Sequence, residues 1–248
     1  MARVTLEICV DSPGGLAAAI EGGADRIELC SALNLGGLTP SPGLIEKARH
    51  APIPVVAVIR PRAGDFVYGP DDLEVMESDI AAIRAAGLSG VVFGACKPDG
   101  RLDEAALTRL VAAAKGLELT LHRCYDTTPD HAEAMEAAVR LGFQRILTSG
   151  GATTATAGCQ DIADTIALAR GRISVMAGSG ITPANAGSLL DKLQVTDIHA
   201  SCGARLGVPP RAVTLGFATG TEKQTEASRV RALKQVVTRN GAPKLRTS

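Results

Sequence analysis

The order of apolar segments along this chain predicts a closed (β/α)8 barrel folded as one domain. Three observations carry that expectation. Short runs rich in Val, Ile and Leu alternate with longer amphipathic stretches from one end to the other. Eight such pairs follow on a short period, and no linker, charge block or low-complexity segment divides them. The 248 residues also match the usual size of a single TIM barrel. An open doubly wound sheet is the alternative, because counting units does not establish closure.

The strands are expected at 5–9, 26–29, 55–60, 90–93, 118–122, 145–148, 173–177 and 197–200. Helices are expected at 12–21, 42–50, 71–86, 103–115, 129–141, 160–170, 183–193 and 226–239. Proline after Ser12, Thr128 and Thr182 reads as the first helical position, where its missing N–H costs nothing. Gly22, Gly87, Gly116, Gly142 and Gly171 read as helix stops. Residues 205–225, rich in Gly, Pro and Thr, form the one long irregular stretch and are expected to cross the barrel mouth. The tail after Gly241 is expected to fray.

Composition narrows the function classes. Hydrophobic residues make up 46% of the chain, with no Trp and only four Phe and two Tyr, so the core is aliphatic. The 26 basic and 26 acidic residues cancel, which gives no reason to expect nucleic acid or an anionic membrane. Scarce aromatics argue against base stacking, and no apolar run approaches the ~20 residues of a membrane span. The opening MARVTLEICV reads as strand rather than as a secretion leader. The six cysteines form no CxxC pair. A reduced, cytoplasmic protein is the expectation.

Parallel strands covered on both sides should be apolar, yet five of these eight carry polar groups near their C-terminal ends. Strand one has Glu7 and Cys9, and strand two has Glu28 and Cys30. Strand three ends in Arg60, with Arg62 two positions on; strand five ends in His122, followed by Arg123 and Asp126. Strand eight ends in His199, with Ser201 beyond. Alternation puts Glu7 with Cys9, and Glu28 with Cys30, on the face opposite Leu6, Ile8, Ile27 and Leu29. TIM-barrel enzymes place their chemistry at this end. Glu7, Glu28, Arg60, His122, Asp126 and His199 are therefore the candidate catalytic groups, offering a base, an acid and an anion clamp. A purely structural network, with Arg60 neutralising Glu7 and Glu28, is the competing account.

Late glycine-rich loops supply a second set. Ser149-Gly150 follows strand six, Gly178-Ser179-Gly180 strand seven, and Ser201-Cys202-Gly203 strand eight. Backbone N–H groups and hydroxyls there suit a phosphate or other small anion, with Arg62 as a further cation. Tight turns needing positive φ are the plain alternative. Cys9 and Cys30 are candidate ligands for Cu(I), which two sulfurs can hold, although a buried cysteine more often behaves as a small hydrophobe.

At these residues the chain resembles the CutC family, named for a proposed part in copper homeostasis. The matching segments are LEICVDS at 6–12, GGADRIELC at 22–30, GGLTPS at 36–41 and IRPRAGDFVY at 59–68. LHR at 121–123, ILTSG at 146–150 and MAGSGI at 176–181 continue it, so the likeness covers about residues 5 to 205. It implies a TIM barrel, a cytoplasmic location, copper handling through cysteines, and a dimer or larger homo-oligomer. At Cys124-Tyr125, where family members usually carry a small residue and an aromatic, Tyr125 keeps the aromatic; Ala200-Ser201-Cys202 differs from the usual strand-eight ending, and the segment after Arg205 diverges strongly. Two functions follow: Cu(I) handling through Cys9 and Cys30, or an enzyme acting on a small anionic or phosphorylated molecule.

Overall fold

The computed structural model describes residues 4–241; the fraying expected beyond Gly241 lies outside the described residues. Eight parallel strands close on themselves in sequence order: β1 (Thr5–Val10), β2 (Arg26–Leu29), β3 (Val55–Val58), β4 (Gly90–Phe93), β5 (Glu118–Leu121), β6 (Arg145–Thr148), β7 (Ser174–Ala177) and β8 (Asp197–Ala200). β8 returns to pair with β1, matching Thr5 to Asp197 and Glu7 to His199. That seam excludes the open sheet. The helices between strands are α1 (Pro13–Gly22), α2 (Pro42–Ala48), α3 (Pro70–Ala85), α4 (Glu104–Ala113), α5 (His131–Arg140), α6 (Cys159–Ala169) and α7 (Ala186–Lys192). No helix among the described residues is long and apolar enough to cross a membrane.

Alternation along the strands sorts the core into two parts. Leu6, Ile8, Val10, Ile27 and Leu29 pack outward in the large layer between sheet and helices. Cys9, Cys30, Val56, Val58 and Val92 form a smaller apolar cluster inside the barrel. Inward positions of β1, β2 and β8 thus face one another across a narrow interior, which forces their polar groups to find partners there.

Side-chain caps set the starts of α1, α2, α4 and α5. Ser12 accepts from Gly15 N at 3.1 Å and Ser41 from Leu44 N at 3.4 Å, each ahead of a first-turn proline. The expectation fails at Pro129 and Pro183. Asp130 caps α5 through Ala132 N and Glu133 N, and α7 begins only after Asn185, so both prolines stand in the approach to the helix. Strand three ends at Val58 rather than residue 60, and strand five at Leu121, where His122 leads into a 3₁₀ turn, Arg123–Thr127.

The stretch expected to be irregular is ordered. β9 (Gly203–Arg205) and β10 (Lys223–Thr225) pair antiparallel, and α8 (Pro210–Thr214) lies in the excursion between them. Glu222 holds the turn by accepting from Thr219 N at 2.5 Å and Gly220 N at 2.9 Å. The closing helix α9 (Ala227–Gly241) packs on α1 and α7.

Gly22 is the point where first and last helices meet. A Cβ there would lie 2.4 Å from Val230 Cβ and 2.9 Å from the Ala227 carbonyl. Gly22→Ala should therefore lower stability by about 1–3 kcal/mol, the usual cost of overpacking. Urea denaturation checks this, and an unchanged midpoint would mean that α9 can move aside freely.

Candidate functional site

The inward residues of β1, β2 and β8 assemble a buried charge network. Glu7 stands opposite Arg26 in the β1–β2 register, and Arg26 Nε donates to Glu7 at 2.5 Å. Arg26 Nη2 donates to Asp197 at 2.9 Å, and Asp197 accepts in addition from Ser174 and Thr196. Glu7's other oxygen meets His199 Nδ1 at 2.7 Å. His199 Nε2 then faces Glu28 at 3.7 Å. So Arg26, not Arg60, neutralises Glu7. Burial alone would raise the Glu7 pKa, but the His199 hydrogen bond and the Arg26 charge bring it down to about 2. Burial pushes Glu28 up, and the negative charge of Glu7 adds to that push. Burial opposes a charged His199, yet neighbouring Cys9, Glu28 and Glu7 carry its pKa well above the ordinary value.

Above this network opens a cavity of about 720 Å³ at the C-terminal ends of the strands. Cys9, Glu28, Arg60, His122 and His199 all line it. From the late loops, Ser179, Gly180, Ser201 and Gly203 reach its wall, as do Lys223 and Arg229 beyond them. Arg26 and Asp197 are not among the residues expected from sequence, although both share strand parity with the inward residues Glu28 and His199. Phe66, Lys223 and Arg229 join the rim through the folded connections, which no strand periodicity announces.

Arg60 is 6% exposed and is held almost wholly by backbone. Its Nη1 donates to the carbonyls of Leu35 at 2.8 Å and Gly37 at 3.1 Å, and its Nη2 to that of Gly64 at 2.8 Å. Its Nε has no partner among the described residues. The Phe66 ring lies 5.2 Å from the guanidinium and 4.7 Å from the His122 ring. Burial, helped by the Arg60 charge, pushes His122 down to about 3, so its ring is neutral.

Several candidates lie elsewhere. Arg62 pairs with Asp65 at 3.0 Å and Asp72 at 3.2 Å, beside the loop it stabilises rather than on the cavity wall. Asp126 is turned into the loop after β6. It accepts from Thr148 Oγ1 at 2.5 Å, from Ser149 N at 3.1 Å and from Gly151 N at 3.2 Å, and pairs with Arg123 at 2.7 Å. These contacts overcome the upward push of burial and lower its pKa. The donors of Ser149 are thus spent on the chain's own carboxylate, and Gly150 N donates to Thr148 Oγ1 at 2.8 Å. Gly178 N donates to the Thr148 carbonyl at 2.9 Å, and its missing Cβ makes room first for Leu147, whose Cδ1 would lie 2.6 Å from it, and then for His199.

The cysteines also divide. Cys9 stands opposite Glu28 in the register, so Cys9 and Cys30 are not level with one another. Cys9, Glu28 and His199 each bring a donor atom within 4.8 Å of the other two, and theirs is the metal-competent group among the described residues. Cys30 instead directs its thiol to Glu28 at 3.4 Å, and burial with the Glu28 charge pushes its pKa well up.

Fold and mouth together define a TIM barrel with a cation-rimmed cavity over a buried carboxylate–imidazole pair. The CutC family model matches residues 4–204. The family protein CutC of Sinorhizobium medicae is 56% identical over 235 residues, covering 94% of this chain and 96% of that protein. That of Agrobacterium fabrum is 52% identical over 234 residues, covering 94% and 93%. A solved structure described as a copper homeostasis protein CutC, from Streptococcus agalactiae, superposes with a TM-score of 0.76 at 30% identity, covering 80% of this chain and 98% of that one. Phosphoribosyl anthranilate isomerase from Thermotoga maritima, at 15% identity and a TM-score of 0.56 over 94% of this chain and 98% of that one, shares the barrel fold. This chain belongs to the CutC family.

The network makes acid stability predictable. Glu7, lowered from 4.5 to about 2, stabilises the fold fully above pH 4.5, and that contribution is lost as pH falls from there towards 2. His122, lowered from 6.5 to about 3, adds a loss on acidification between those values. His199 is raised, so its contribution is complete below pH 6.5 and is lost as pH rises through its folded value. Glu7→Gln should cost about 3–5 kcal/mol at neutral pH, because Arg26 and His199 lose a buried partner. It should also flatten the stability profile between pH 4.5 and 2. Denaturant midpoints across pH check both.

Proposed function

We propose that the protein is an enzyme that takes a small anionic molecule into the barrel mouth and moves a proton on it. The observation that supports this best is Arg60. A buried guanidinium among carbonyls, with no carboxylate partner among the described residues, faces a cavity large enough for a small metabolite. Burying such a charge is costly unless an anion joins it. On the opposite side of the same cavity, His199 is fixed by Glu7 and presents Nε2 towards Glu28. A carboxylate-oriented imidazole beside a carboxyl group is suited to general acid–base work. Lys223 and Arg229 add positive charge at the rim. A cytoplasmic setting belongs to the proposal, because six free cysteines, five of them buried, suit a reducing compartment. So does a homo-oligomer, for which exposed Leu206, Leu215 and Phe217 offer apolar surface.

A second reading, copper handling as in the name given to the Streptococcus agalactiae relative, has its own support in the Cys9, Glu28 and His199 donors. A thiolate and an imidazole suit a soft or borderline ion, and Glu7 would orient His199 as an outer partner. Cys9 and His199 would hold the metal, with Glu28 beside them; Cys30 would contribute little.

Two measurements separate these readings. In a Cu(I) competition titration of the reduced protein, Cys9→Ser should weaken whatever binding exists, and Cys30→Ser should leave it unchanged. Mass spectrometry of ligands released from freshly purified protein should give a small anionic organic molecule. Stoichiometric copper with no organic ligand, lost in Cys9→Ser, would replace the enzyme reading with the copper one. For the enzyme reading, His199→Gln should abolish turnover while leaving anion binding within about threefold, since Arg60 carries the charge contact.

A further inference from the structure

Among the described residues, three buried side-chain polar atoms lack a partner: Arg60 Nε, His122 Nε2 and Tyr68 Oη. They belong to one corner of the molecule. Phe66 touches both Arg60 and His122, and Tyr68 lies two residues on in the same loop. The Arg60 side chain lies beside the Tyr68 hydroxyl, close enough for its charge to oppose the rise that burial imposes there. Arg60 and His122 are more than nine-tenths buried, and both line the cavity.

Each of these atoms is a donor. His122 Nδ1 accepts from Cys124 N at 3.2 Å, which fixes the neutral ring as the tautomer with its proton on Nε2. Backbone carbonyls take three of the guanidinium's N–H groups, leaving the Nε–H and one Nη2–H, the side-on edge of the fork. With His122 Nε2–H and Tyr68 O–H, four donors remain, against the roughly four lone-pair positions of a carboxylate. The charge agrees. Arg60 is the one uncommitted cation of this corner, because Arg62 is paired with Asp65 and Asp72, and Arg123 with Asp126. A monoanion is neutralised here and a dianion is not.

Resting on the small-anion reading above, we propose that Arg60, His122 and Tyr68 form a carboxylate-binding subsite, so that the molecule taken into the mouth is a carboxylic acid. Its carboxylate seats side-on against Arg60 beneath Phe66 and directs the rest of the molecule towards Glu28 and His199. The late glycine loops then flank the ligand without holding its charge.

The probes are acetate, glycolate and methyl phosphate, titrated into the intact protein and followed by calorimetry and by the ¹⁵N-edited signal of the His122 Nε2–H. Acetate and glycolate should bind saturably and shift that signal. Arg60→Lys, which keeps the charge and loses the fork, should weaken glycolate about tenfold. His122→Phe should weaken it comparably, and His122→Gln, whose amide restores an N–H donor, should recover most of the loss. Tyr68→Phe is the variant least able to disturb packing, and should give a smaller loss of about threefold. Methyl phosphate binding with carboxylates ignored, or carboxylate affinity unmoved by Arg60→Lys and Tyr68→Phe in folded protein, would overturn the subsite and leave the small-anion reading standing. Binding of neither class of anion would overturn both.

Discussion

The ion pair between Glu7 and Arg26 is the contact on which the site is built. It joins β1 to β2, and through Asp197 and His199 it reaches β8, the strand that closes the barrel. Four ionisable groups are thereby taken out of water at the closure seam. Such a network is poor evidence of net stability, since apolar residues of similar volume would often do as well. Its effect is geometric. With one Glu7 oxygen on Arg26 and the other on His199 Nδ1, the imidazole has a fixed plane, and its remaining nitrogen points to Glu28. The floor of the cavity inherits its orientation from a charge pair that does not itself line it.

Two other arginines show how the same chain can satisfy a guanidinium or leave it waiting. Arg123 is matched by Asp126, and Asp126 in turn fills the loop after β6 with an anion of the protein's own. A loop that looks from sequence like an anion cradle is already occupied by a side chain three residues from its arginine. Arg60 has the opposite arrangement. Carbonyl dipoles from the segments at Leu35–Gly37 and Gly64 aim it without cancelling its charge. The electrostatic demand therefore sits on the β3 and β5 side of the mouth, away from the late-strand position that the fold alone would suggest.

What could be read in the sequence follows from strand periodicity. A period of two assigns Glu7, Cys9, Glu28 and His199 to the interior, and the structure places the last three with Arg60 and His122 on one cavity, with Glu7 buried beneath it. Relations between strands were not legible, because stagger decides them. Cys9 and Cys30 occupy like positions in their strand sequences, yet the register sets Cys9 against Glu28 and Glu7 against Arg26. Arg26 and Asp197 were overlooked because they open their strands, where charge reads as a solvated end. Residues just past a strand were the least legible. Asp126 lies in a 3₁₀ turn that no periodicity announces, and Arg62 bends back onto Asp72 at the start of α3. The hairpin of β9 and β10 was hidden by its composition, since Gly, Pro and Thr serve turns and short strands alike.

The cavity floor also explains why one family can attract both a metal and an enzymatic account. A histidine whose Nδ1 is tied to a carboxylate exposes a single, oriented Nε2, which is what a proton-transfer site and a metal site both require. Cys9 and Glu28 beside it are chemically ambivalent in the same way. The asymmetry lies across the mouth. A soft ion held by Cys9 and His199 would leave the Arg60 charge unanswered, together with the donors of His122 and Tyr68. The proposed anionic organic ligand would answer those donors and bring its other end to the same Glu28 and His199. Among the described residues, Arg60 and His122 are the unpaired buried groups on the cavity wall, and the proposed anion would partner both where a metal at Cys9 and His199 would partner neither.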